Sequence, residues 1–193
     1  MKKNILISTG GSGGHVVPAE ILADHLRKDY GIFISTDLRG YKFIKKDKDI
    51  IYILNTPKLN FDYLILFKFI KVAFLIFKSY FFLKKNRINK VVSTGGYMSL
   101  PVCISAKLLK LEIYLYEPNL VLGRANKFFL KFCTKIFCYT QNIKNFPNNY
   151  KNKIYLTSQI LRKNLYKIKT FQKQEIQKKM NLLIVGGSQG AKF

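Results

Sequence analysis

The chain holds two histidines, three cysteines and ten acidic residues in 193 positions. Cys103, Cys133 and Cys138 are odd in number and form no CxxC pair. That excludes a disulfide framework and a metal site, and the three read as reduced core residues of a cytoplasmic protein. A clean bilayer-spanning run is also missing, because the aromatic segment 61–83 is broken by Lys68, Lys71 and Lys78. The first apolar stretch, residues 4–9, is too short for a secretory signal and runs straight into glycines. No Gly-Lys-Ser/Thr closes the first glycine loop, so it is not a Walker A loop.

Scarcity of acid leaves a formal net charge of +24. One reading is attraction to anionic lipid, nucleic acid or phosphorylated substrates. The other is compositional drift. Of the 34 basic residues, 29 are Lys and five are Arg, spread along the whole chain. Nucleic-acid sites favour Arg for its bidentate contacts. Drift therefore accounts for most of the charge, and no nucleic-acid partner is expected.

With 48% hydrophobic residues, the chain has enough for one well-buried α/β domain. Short apolar runs at 4–9, 32–35, 50–54, 91–94, 113–116, 136–139 and 154–157 read as strands. Helices are expected after the first glycines, with Pro18 in the first turn, and over 100–109 and 125–132. This alternation predicts an α/β fold, a Rossmann-like doubly wound parallel sheet. Residues 1–161 form that domain. Residues 162–180 turn polar and basic, as in a linker. Residues 181–193 open a second unit, a strand with the loop Gly186-Gly187-Ser188-Gln189-Gly190.

Three times an apolar strand runs into paired glycines: at Gly10-Gly11-Ser12-Gly13-Gly14-His15, at Gly95-Gly96-Tyr97 and at Gly186-Gly187. Such loops let backbone approach an anion and aim amides and the helix dipole at it. Three of them point to a diphosphate-bearing ligand or two phosphate-bearing ligands. Asp37, at the end of the second strand, leaves a weak dinucleotide reading open, although Val16 fills the third glycine position. His15 sits at the first loop's mouth. It has two readings: a general base toward a sugar hydroxyl, or a helix-start histidine that binds phosphate or caps backbone. His25 is expected at the surface.

The segment Gly-Gly-Ser-Gly-Gly-His-Val-Val-Pro at 10–18 resembles the opening loop of the MurG family of N-acetylglucosaminyltransferases. Gly95-Gly96-Tyr97-Met98-Ser99 is similar to that family's second glycine loop. Glu117-Pro118-Asn119, followed by Gly123, Asn126 and Lys127, resembles its Glu-Gln-Asn segment and the Asn-Lys beyond. Residues 185–191 match the loop that opens its second domain. Tyr116, Pro118 and Leu100 depart from the family's usual residues. The resemblance implies the N-terminal domain of a GT-B fold and an inverting transfer, without metal or cofactor, of GlcNAc from UDP-GlcNAc to lipid I. It implies His15 as the catalytic base and donor contacts at Ser12, Gly13, Gly14, Asn119, Arg162 and Ser188. Acceptor diphosphate falls to Gly11, Gly14, Gly95, Gly96 and Tyr97. It also implies peripheral attachment to the cytoplasmic face of the bacterial inner membrane and, for a truncated or split form, a separate C-terminal donor-binding half as partner. A non-catalytic acceptor-binding half, and another GT-B lipid glycosyltransferase, are alternatives.

On a helix, Lys68, Lys71 and Lys78 fall within an arc of about 80° while the other faces are apolar. Two arrangements fit: an interfacial helix whose lysines meet anionic headgroups, or a core helix whose lysines snorkel to water. A lipid-linked acceptor favours the first.

Overall fold

The computed structural model describes residues 2–44, 49–58 and 63–167. The expected second unit at 181–193, with Gly186 and Ser188, lies outside the described residues, as does most of the expected linker.

Among the described residues, seven strands form one parallel sheet: β1 (Asn4–Ser8), β2 (Gly31–Thr36), β3 (Ile50–Ile53), β4 (Ile88–Ser93), β5 (Glu112–Glu117), β6 (Lys135–Cys138) and β7 (Ile154–Leu156). Their order is β3-β2-β1-β4-β5-β6-β7. The chain therefore runs outward from β1 to β3, then crosses back to lay β4 beside β1. That reversal is the switch point where α/β sheets leave a crevice at the strands' carboxyl ends.

Alternation along β1 divides the interior. Ile5 and Ile7 face α1 (Gly13–Leu26) and pack with Val16, Ala19 and Ala23. Leu6 faces the opposite layer, built from α3 (Ile65–Lys85), α4 (Leu100–Leu108) and α5 (Arg124–Phe129). There Leu75 and Leu83 meet Val102, Ala106, Phe129 and Ile136. Each fully buried Leu, Ile or Phe contributes about 1.5–3 kcal/mol of transfer free energy. All three cysteines are free and belong to this core. Burial pushes the Cys103 and Cys138 thiols up to about 12, so neither carries thiolate near neutrality.

Two details differ from the sequence reading. The first helix starts at Gly13, so Pro18 lies in its second turn, not its first. The ring there opposes the carbonyl of Gly14, whose lack of a side chain leaves room to adjust. A short helix that sequence reading did not predict, α2 (Leu38–Tyr41), follows β2. Asp37 caps it, its side chain accepting from Gly40 N.

Adjacent phenylalanines test the layering. Phe129 is fully buried and Phe128 is 47% exposed. Phe129→Ala should cost about 3–5 kcal/mol, whereas Phe128→Ala should stay within about 0.5 kcal/mol, both read from urea unfolding midpoints.

Candidate active site

Where β1 and β4 end, their loops cross at van der Waals range. A Cβ on Gly96 would sit 3.4 Å from the carbonyl oxygen of Gly10, and Gly96 has φ 82°, a left-handed value that favours glycine. Beneath them, Ser8 pairs with both Ser35 and Ser93 in register, so small hydroxyl side chains floor the crossing. Thr94 fastens the two loops. Its N–H donates to Ser8 O at 3.0 Å, and its hydroxyl lies 2.8 Å from Thr9 Oγ1 and 3.2 Å from the His15 carbonyl.

The carbonyl of Thr94 also fixes His15, whose Nδ1 lies 2.9 Å away. A carbonyl only accepts, so Nδ1 carries a proton, and in the neutral ring the lone pair falls on Nε2. His15 is half-buried and lines a cavity of about 710 Å³ with Gly95, Gly96 and Tyr97. Thr56, Lys58, Arg124 and Phe128 also line that cavity. At the start of α1, Ser12 O accepts from His15 N and Val16 N. The amides of Gly13 and Gly14, one turn too early for an acceptor inside the helix, are left to bind something else.

Two buried carboxylates brace these loops. Asp37, 3% exposed, accepts from Gly11 N and Gly40 N at 2.9 Å each and from Arg39 Nε at 2.9 Å. Burial raises its pKa, but those amide bonds and the guanidinium outweigh burial and hold the carboxyl below its ordinary value. Asp37 is thus spent on the protein's own backbone, in the position where a dinucleotide site would offer it to a ribose. Glu117, 2% exposed, accepts from Gly123 N at 2.8 Å, Asn119 Nδ2 at 2.9 Å and Asn126 Nδ2 at 3.1 Å. It shapes the β5–α5 loop beside the cavity.

The expected site residues are brought together unevenly. His15, Gly95, Gly96 and Tyr97 line the cavity, and Gly11, Ser12, Gly13 and Gly14 form the adjoining first loop and helix start. Asn119 is exposed on the facing loop, its amide turned to Glu117. Arg162 lies elsewhere, in a separate depression of about 200 Å³ along the flank of α1 with Glu20, Asp24 and Arg27. His25 is half-buried rather than plainly at the surface. Its Nε2 is 2.8 Å from Leu161 O, and its ring meets Tyr166 edge-on at 5.9 Å, so it ties the 161–166 segment to α1. Sequence reading missed Arg39, whose Nη2 donates to Tyr97 Oη at 2.7 Å. The available signal was Asp37 three residues before Gly40, the spacing of a helix cap.

Residues 5–138 match the glycosyltransferase family 28 N-terminal domain. Over its full length the chain is 51% identical to the UDP-N-acetylglucosamine–N-acetylmuramyl-(pentapeptide) pyrophosphoryl-undecaprenol N-acetylglucosamine transferase of Pelagibacter ubique, covering 54% of that protein. The transferase of the same name from Rickettsia canadensis is 35% identical, again over the whole chain and 54% of its own length. The chain spans about half the length of the curated relatives it matches. Among solved structures, Acinetobacter baumannii MurG superposes with a TM-score of 0.69 at 22% identity, over 80% of this chain and 45% of that one. A UDP-GlcNAc 2-epimerase from Neisseria meningitidis gives 0.55 at 17% identity, over 80% and 45%. The fold is the Rossmann-like N-terminal domain of a GT-B transferase.

The Asp37 brace sets a pH dependence. Because its folded-state pKa is lowered from 3.8, its contribution is present above that value and lost as pH falls through the lower one. In urea unfolding, wild type should exceed Asp37→Asn at pH 7, and the gap should close as the pH drops below about 3.8. A gap that persists unchanged in acid would remove Asp37 as the brace.

Proposed function

The chain belongs to glycosyltransferase family 28, and from that premise we propose that it forms the acceptor-side half of a transferase making lipid II. In this reading GlcNAc passes from UDP-GlcNAc to the C4 hydroxyl of the lipid-linked MurNAc of lipid I. The observation that carries it is His15: Thr94 O holds its Nδ1–H, which leaves Nε2 as the atom for a ligand, and the residue lines a cavity with Gly95, Gly96 and Tyr97 of the second glycine loop. There Nε2 takes the proton of the acceptor hydroxyl as that oxygen attacks the anomeric carbon. The bond from that carbon to the UDP oxygen breaks with inversion, and UDP leaves. Thr94 O holds the ring in the tautomer the step needs. Gly11, Gly14, Gly95, Gly96 and Tyr97 receive the acceptor's diphosphate. Ser12, Gly13, Gly14, Asn119, Arg162 and Ser188 serve the donor. Transfer also requires a donor-binding domain, on the same polypeptide or a second one.

A membrane-facing role for α3 has its own support. The helix buries Val72, Leu75, Ser79 and Leu83. Its opposite face is apolar too, with Phe67, Ile70, Phe74, Phe77 and Phe81 each more than half exposed. A core helix with snorkelling lysines would not leave that face in water. Lys71 and Lys78 are exposed along its border. No described helix is long and apolar enough to cross a membrane. The pattern fits a helix lying in the interface of the cytoplasmic leaflet, with lysines at anionic headgroups and phenylalanines in the acyl boundary.

Two measurements check these readings. Combined with a donor-binding half, His15→Ala should lower GlcNAc transfer to lipid I by about 10²-fold or more. Near-full transfer would end the general-base assignment. In co-sedimentation with anionic vesicles, Lys71→Glu with Lys78→Glu should weaken binding about tenfold or more. Phe74→Ser with Phe77→Ser should weaken it on neutral vesicles as well, and unchanged binding in both pairs would exclude α3 as the docking element.

A further inference from the structure

Arg39 enters from α2, the short helix after β2, outside every glycine motif, yet it stands between the first two. Its Nε donates to Asp37 Oδ2 at 2.9 Å and its Nη2 to Tyr97 Oη at 2.7 Å. The carbon of the guanidinium lies 5.9 Å from the centre of the Tyr97 ring. Nη2 is 3.8 Å from the point a Cβ on Gly11 would occupy, which places the cation beside the first loop.

A guanidinium carries five N–H donors, and two are used here. The other three are not used by these bonds, and the side chain is 54% exposed. Asp37 does not draw on them. Its Oδ1 is taken by the amides of Gly11 and Gly40, and its Oδ2 by Arg39 Nε. The bond to Asp37 helps neutralise a buried carboxylate, but the second bond, to Tyr97 Oη, lies at the surface, where such a contact contributes little to stability and costs side-chain entropy. Holding the guanidinium at two points gains most when the cation must be in place for a ligand. The backbone cradle beside it is selective for anions, and the planar fork suits phosphate oxygens.

We infer that Arg39 is a further binding residue of this site, donating to a diphosphate oxygen seated between the first and second glycine loops. This rests on the reading of those loops as the acceptor-diphosphate site. Tyr97 then acts as a positioning residue, its hydroxyl orienting the guanidinium. The shared chemistry is a diphosphate ester, which the lipid-linked acceptor and the nucleotide donor both carry. The inference assigns Arg39 to the acceptor.

Isothermal titration of the full chain with a short-chain isoprenyl diphosphate, and separately with UDP, tests it. Arg39→Gln should weaken isoprenyl diphosphate binding about tenfold or more and leave UDP binding unchanged. Arg39→Lys should recover only part of the loss, since it keeps the charge but not the fork. Tyr97→Phe should give a smaller loss. Arg87→Gln, an equal charge change at the far end of β4, should change nothing. Circular dichroism melts establish that each variant is folded, and Arg39→Lys and Tyr97→Phe decide the matter if Arg39→Gln is not. Wild-type affinity in the folded Arg39 variants overturns the role of Arg39 and leaves the loop reading standing. Loss confined to UDP overturns the acceptor assignment. A wild-type chain that binds no isoprenyl diphosphate overturns the loop reading and this inference together.

Discussion

Backbone must meet backbone where β1 and β4 run out into their loops, and the site follows from that contact. A Cβ on Gly96 would lie 3.4 Å from the carbonyl oxygen of Gly10, in van der Waals contact, and the positive φ of Gly96 favours glycine there. The chain reversal after β3 makes β1 and β4 neighbours, and the reversal also leaves their loops at the same end of the sheet. Once they are adjacent, Thr94 can hold Thr9 with its hydroxyl and His15 with its carbonyl. The geometry of the imidazole is thus a consequence of strand order.

Loops so rich in glycine have large conformational freedom to lose. Asp37 and Glu117 offset that loss. Each is almost wholly buried, and each has its oxygens occupied by N–H donors from the loops. Burying a carboxylate is costly unless such bonds are made, so the two side chains stabilise only the loop conformations that supply them. Both follow a strand directly or end it, and a strand is rigid enough to set the position of its terminal carboxylate.

The α3 layer shows the opposite balance. One face of the helix packs on α4 and the sheet, and the other exposes a row of phenylalanines where a water-facing helix would carry charge. An exposed apolar patch of this kind marks an interaction surface. Its basic border gives that surface a sign.

Sequence by itself determined the fold class, because short β-rich runs alternating with helical ones have few compact solutions other than a parallel sheet with helices on both faces. It also located His15 and the first two glycine loops, since glycine pairs after apolar runs have a local backbone cause. It did not decide the role of Asp37, which adjacency alone leaves equally suited to a ribose or to the protein's own amides. The partner amide, Gly11 N, is 26 residues away. Nor did it find Arg39, whose meaning comes from Tyr97, 58 positions on. The lysine stripe of α3 was legible, but which apolar face was the buried one was not, because periodicity marks a polar stripe without saying which side meets the sheet. Only the tertiary structure decided these points, through contacts between residues that the chain itself keeps far apart.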